Sequence, residues 1–364
     1  MNKKIISISF MLVFTLIFVS GCTEVLVDNT IKYSEHPTQI SYIIDYGYFV
    51  NCSGEGSFKL NYDCDTPEVL LGTASITEVF NIEYTEKTVA TFNQMYSWNL
   101  SKTSCSDLKL GLSASVTSQS FMVDDLNGKD ALTIQEIQNN HSDLVEQYCN
   151  AQSNETITFI DPNNQDIKTQ AQEILNQAGS INAFLVAKQA FIWLKENTDY
   201  ETHNENNNVQ TCLYTLEHKT GDCDDLSFLY ISLCRASDIP ARFIRGFLIK
   251  ETYAIPHAWA EVYVGEKVGD DGWIPVECAG DANDANYIES EINQNFALES
   301  AGHLRLFKDD GSDESMIMSL SGISYLADSN LEIESLISFS PVKDYAILKS
   351  NELHINENGK RSYH

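Results

Sequence analysis

Positive charge is scarce in this chain: 23 Lys and Arg stand against 52 Asp and Glu, a formal charge of −29. A surface of that sign repels a phosphate backbone instead of releasing its counterions, so nucleic acid is excluded as a partner. Long apolar runs are missing after the first twenty residues, and a membrane span needs about 20 of them. No C-x-x-C or H-x-x-x-H spacing occurs, so neither a metal site nor a cofactor is expected. The acidic stretch Asp309–Glu314 lacks the spacing of an EF-hand loop and reads as a solvated turn. Repeats and low-complexity tracts are also lacking, which excludes a solenoid. What remains is a 364-residue chain with 43% apolar side chains, enough for two or three domains with proper cores.

The chain opens with Lys3 and Lys4, an apolar run from Ile5 to Val19, and Val19-Ser20-Gly21-Cys22. That run is shorter than a bilayer requires and ends at a small-residue site, which marks residues 1–21 as a signal peptide. Val-Ser-Gly-Cys resembles the lipobox of prokaryotic lipoproteins. The resemblance implies lipidation of Cys22, a tether over 22–35, and a folded chain held on the outer face of the cell membrane. Exported cysteines tend to pair. Eight remain after Cys22, and the economical pairings are Cys52 with Cys64 and Cys105 with Cys149, with Cys212 and Cys278 as a further candidate pair. Sequons at Asn51, Asn99, Asn140 and Asn154 agree with an exported front half.

Between residues 36 and 125 the apolar positions alternate. Leu108, Leu110, Leu112, Ala114 and Val116 occupy every second place, and Phe58, Leu60 and Tyr62 repeat the pattern, which predicts an antiparallel β-sandwich. A polar, Asn-rich stretch follows, and after Asp161-Pro162-Asn163-Asn164 the period becomes helical. Ile167, Ala171, Ile174 and Leu175 share one helix face, and Ala187, Ala190, Phe191 and Leu194 share another. The expected organisation is α+β: a β-rich domain over 36–155, then a domain of helices on an antiparallel sheet over 156–364, with its motif core at 160–280 and an extension at 281–364. Trp193 and Tyr200 read as ordinary core aromatics, and Asn204–Asn208 as an exposed loop.

Chemistry concentrates in Gly221-Asp222-Cys223-Asp224-Asp225. Leu226, Leu229, Tyr230 and Leu233 give a helical face, with Asp222 as N-cap after a glycine able to take unusual φ. Cys223 then lies in the first turn, where the helix dipole eases loss of the thiol proton and the three neighbouring aspartates oppose it. Pro256-His257-Ala258-Trp259-Ala260-Glu261-Val262-Tyr263-Val264 alternates as a strand, with His257, Trp259, Glu261 and Tyr263 on one face. A further strand, Gly272-Trp273-Ile274-Pro275-Val276-Glu277, ends in an acid suited to orient an imidazole.

These blocks, with Ile239-Pro240-Ala241-Arg242 between them, resemble the transglutaminase-like family of the papain-like cysteine peptidase superfamily. The resemblance covers roughly residues 160–280. It implies a Cys nucleophile, a His base and an orienting acid, which fall on Cys223, His257 and Glu277. The family more often has Asp in the third place, and Asp271 and Asp281 stand in reserve. The implied reaction is acyl transfer through a thioester. Resolved by water, it makes a cysteine peptidase acting on a peptide or isopeptide bond of a protein or peptide substrate, the cell envelope included. Resolved by an amine, it makes a protein cross-linker, and a non-catalytic surface binding module is the third possibility.

Overall fold

The computed structural model describes residues 31–89, 91–202, 209–250, 253–280, 287–341, 347–356 and 358–364. The leader with Cys22, the Asn204–Asn208 loop and Asp281 lie outside the described residues. The front of the chain forms strands β1 (Ile31–Ser53), β2 (Phe58–Asp65), β3 (Gly72–Phe80), β4 (Thr85–Val89), β5 (Asn93–Lys102) and β6 (Leu108–Gln119). After two short helices come α1 (Gln165–Ala178), α2 (Ala183–Asn197), α3 (Cys212–His218) and α4 (Cys223–Arg235), then β7 (Ala241–Ile249), β8 (Ala254–Tyr263), β9 (Trp273–Val276) and β10 (His303–Lys308). The chain closes with β11 (Ser324–Ala327), β12 (Asn330–Pro341), β13 (Ile347–Ile355) and β14 (Arg361–Tyr363). The fold is α+β.

The front sheets follow the alternation. Leu110, Leu112, Ala114 and Val116 point inward on β6 and meet Phe58, Leu60, Tyr62, Trp98 and Leu100 of the opposing sheet, all buried. One sheet runs β14-β13-β1-β6-β3, with β12 also paired to β1; the other runs β11-β2-β5-β4. The segment 281–364 therefore divides. Strand β10 extends the helical domain's sheet, whereas β11 to β14 return to the front sheets, where β1 offers an unsatisfied edge along its whole length. The polar stretch after residue 125 also behaves unlike a linker. Its short helices Ile134–Asn140 and Ser142–Tyr148 bury Ile137 and Tyr148 in the helical domain's core, with Phe159 and Ile160 beside them.

In that core, α1 starts at an Asn164 cap and stops at left-handed Gly179, and α2 starts at an Asn182 cap. Helix α4 is buried along almost its whole length and lies on the sheet β9-β8-β7-β10, antiparallel throughout. The small residues Ala258 and Ala260, both fully buried in the same core, let the helix approach β8 closely. Its C-terminal Arg235 pairs with Asp309 at 3.1 Å. The acidic turn is thus committed to protein donors: Gln152 also donates to Asp309, and Ser312 donates to Asp310.

The cysteine pairing differs from the economical guess. Cys52 bonds to Cys105, across a sequence separation of 53. The pairing of Val50 with Leu108 brings the end of β1 beside the chain entering β6, while Cys64 points into the sandwich core and Cys149 packs near Arg235. Cys212 and Cys278 are both free thiols. They pack against Ser232 and Ser227 of α4 respectively, and five residues are roughly 140° round a helix, so α4 stands between them. Replacing Cys52 and Cys105 by Ser is expected to cost about 2–4 kcal/mol. Urea unfolding checks this as a lower midpoint, with no change in alkylation at Cys223.

Candidate active site

Cys223 is the first residue of α4. The helix begins there because Asp222 accepts from the Asp224 amide while the Asp225 side chain accepts from the Asp222 amide, a closed capping box. Asp225 also accepts from the Gln210 amide at 2.7 Å, which ties the preceding loop to the helix start. Gly221 serves space rather than unusual φ: its φ is ordinary, but a Cβ there would lie 2.7 Å from Cβ of Asp225.

The thiol is half-buried. It accepts from the Ala258 amide, one residue beyond His257, and lies 3.9 Å from a carboxylate oxygen of Asp224. Burial first, then Asp224 and Asp222, hold the thiol well above its ordinary range. The helix dipole is thus outweighed in the resting protein, and Cys223 rests as a thiol. Asp224 is itself pushed up to about 6 by burial and by its neighbours Asp222 and Asp225. Tyr200 is not a core aromatic: it is 38% exposed and lines the site, its hydroxyl pushed up to about 12 by burial and by the nearby Cys223. Trp193 is buried and carries the Lys219 ammonium over its ring at 4.4 Å.

His257 and Glu277 come together across the β8–β9 pair, with Nε2 of the imidazole 2.7 Å from Oε2 of the carboxylate. The same oxygen receives Nε2 of His303 at 3.0 Å, and the Ala279 amide donates to Oε1 at 2.9 Å. Burial alone would raise Glu277, but the two imidazoles hold it well below the usual carboxylate range. Lys195, fully buried, donates to the carbonyls of Ala279 and Gly280 and pairs with Glu291, fixing the chain just past Glu277. Asp271 occupies an exposed turn at the opposite end of β9.

His303 is the participant that sequence reading missed. It stands on β10, two strands from His257, with β7 between them: Gly246 pairs with His257, and Leu248 pairs with His303. The two imidazoles meet on a diagonal across β7, 5.6 Å between centroids. A Cβ on Gly246 would lie 1.8 Å from the Leu304 carbonyl oxygen. The signal was present as a glycine inside a strand pattern and a histidine two residues before Arg305, on the same face of its strand. His257, Glu277, His303 and Tyr200 border a cavity of about 690 Å³ whose far wall includes Pro37 and Ile40 of the front domain.

Glu261 has a structural task. It accepts from Arg242 on β7 at 2.6 Å and from Arg305 on β10 at 2.6 Å, and Arg305 also binds Glu299. Burial would raise it, but the two guanidinium groups bring Glu261 down from 4.5 to about 2. A carboxyl lowered on folding adds stability above its unfolded value and loses it as pH falls toward the folded one. The thermal midpoint is therefore expected to drop between about pH 4.5 and pH 2. Glu261→Gln should lower the midpoint at pH 7 and flatten that acid limb, as calorimetry across the range would record.

The family model of the transglutaminase-like superfamily matches residues 168–278, which run from α1 through Cys223, His257 and Glu277. The chain carries a transglutaminase-like domain. No curated protein matches its sequence. Among solved structures, a protein of Cytophaga hutchinsonii named a "Putative Cysteine Protease" is similar over 92% of this chain and 100% of its own, with 12% identity and a TM-score of 0.50. The periplasmic domain of TgpA from Pseudomonas aeruginosa is similar over 70% of this chain and 90% of its own, with 11% identity and a TM-score of 0.33. The first likeness is one of fold, and it extends well past the family domain into the front sheets.

Proposed function

We propose that this protein is an extracytoplasmic cysteine acyl-transfer enzyme with Cys223, His257 and Glu277 as its triad, acting as a peptidase on a peptide or isopeptide amide. The observation that carries the reading is the imidazole–carboxylate pair of His257 and Glu277, next on the strand to the amide that holds the Cys223 thiol. Glu277 accepts at Nε2, which keeps that proton in place and leaves Nδ1 of His257 as a base.

Because burial and the aspartates keep the thiol protonated, the proton leaves in the attack itself. Sγ of Cys223 bonds to the amide carbon as His257 takes its proton, and the carbonyl oxygen becomes an oxyanion met by the Cys223 amide. The imidazolium returns the proton to the leaving nitrogen, the C–N bond breaks, and a thioester remains. Water, deprotonated by His257, attacks the thioester, and the thiolate leaves with that proton. The leader and the Cys52–Cys105 bond support an exported location, with Cys22 as the lipid anchor; Cys22→Ala is then expected to release the protein from the membrane fraction.

The enzymatic reading is tested by brief iodoacetamide treatment followed by mass spectrometry. Cys223 is expected to alkylate readily in the native protein, and roughly 10²–10⁴-fold more slowly in His257→Ala, the range that general-base assistance supplies. Equal rates in the two would leave a binding module as the better account. Peptide substrates offered with and without a primary amine then show which nucleophile resolves the thioester.

A further inference from the structure

The shared carboxylate oxygen has a consequence beyond orientation of the base. We propose that His257, Glu277 and His303 form a site for a divalent transition-metal ion, zinc by its chemistry, and that occupancy switches the nucleophile off. One ligand atom from each of the three residues lies within 4.8 Å of the other two. The two Nε2 nitrogens already stand 2.7 and 3.0 Å from the same oxygen. A tetrahedral zinc with ligands at about 2.0–2.2 Å spaces its donors about 3–3.5 Å apart, so the ion enters with small side-chain adjustments. Two imidazoles and one carboxylate are a borderline-hard donor set suited to zinc.

Three further features fit a built site. The ligands line the cavity of about 690 Å³, which provides both an entry path and an open fourth position. Nδ1 of His303 lies 3.3 Å from the Ser300 carbonyl oxygen and 3.0 Å from its hydroxyl, so it can donate there while Nε2 turns its lone pair to the ion. Glu277 keeps its remaining oxygen on the Ala279 amide, which fixes the carboxylate plane. A chain of net charge −29 also concentrates cations around it. No spacing motif announces the site, because its ligands stand on three separate strands or strand ends.

The switch follows from tautomers. When Nε2 of His257 binds the metal, its proton moves through water to Nδ1. The imidazole then presents N–H where a lone pair is needed, and the Cys223 proton has nowhere to go. This regulatory half rests on the catalytic reading above, whereas metal binding does not.

The two halves are separated by measuring binding in Cys223→Ala, which has no nucleophile. Calorimetry with Zn²⁺ and visible spectroscopy with Co²⁺ are expected to give one ion per chain, with affinity falling in the double variant carrying His303→Gln by more than the about 10–100-fold that loss of an outer-shell partner costs. X-ray absorption of zinc-loaded Cys223→Ala is expected to show two imidazoles and only nitrogen or oxygen neighbours, a readout independent of whether His303→Gln folds. In the native protein, Zn²⁺ is expected to block alkylation of Cys223, and EDTA to restore it. Loss of binding in Cys223→Ala would place the ion on the thiol and overturn the site, as would a single imidazole in the absorption spectrum or equal affinity after His303→Gln. A metal-free native protein that never alkylates would defeat the catalytic reading and leave the binding result to stand or fall by itself.

Discussion

One buried carboxylate holds the sheet β9-β8-β7-β10 in register. Glu261 is 1% exposed and is bracketed by Arg242 and Arg305, and Arg305 in turn binds Glu299, which accepts from the Trp259 indole. Charges taken this far from water are tolerated only when fully paired, and removal of one partner from such a network typically costs about 3–5 kcal/mol. The network spans β7, β8 and β10. Its geometry sets where the ends of β8 and β10 stand, and His257 and His303 are at those ends. The alternation that points Glu261 and Trp259 into the network also points His257 toward Glu277.

The same residue joins the two halves of the molecule. Arg305 exchanges backbone hydrogen bonds with Glu68 of the front domain while its side chain serves the core. Arg245 of β7 reaches Asp65 at 2.6 Å, and Phe247, Ile249 and Leu304 complete the sandwich's own apolar core. Near the chain end, Arg361 is fully buried and donates to the carbonyls of Val123, Asn293, Phe296 and Ala297. The front domain therefore walls the cavity bordered by His257, Glu277 and His303, through Pro37 and Ile40.

Resting chemistry at Cys223 is a balance of opposing terms. The helix start and the Ala258 amide favour the thiolate, while burial and two aspartates favour the thiol and prevail. His257, whose neighbour Ala258 holds the thiol, is tied at Nε2 to Glu277, and Nε2 of His303 lies on the same oxygen.

Local pattern was enough to read the sandwich strands from Leu110 to Val116, the cap at Asp222 and the strand through His257. Each of these depends on neighbours within a turn or two of chain, where propensity, capping and alternation act directly. The Cys52–Cys105 bond, the return of β11 to β14 to the front sheets, the recruitment of residues 126–160 to the helical core, and the place of His303 beside Glu277 depend on contacts between residues far apart in the chain. Those contacts are chosen by which edges and apolar faces remain unsatisfied once the local elements form, and a sequence read alone does not rank them. Residue types and local elements belong to the sequence; the partners of Glu277 belong to the fold, because only the side-by-side packing of β8, β7 and β10 brings two histidines to one oxygen.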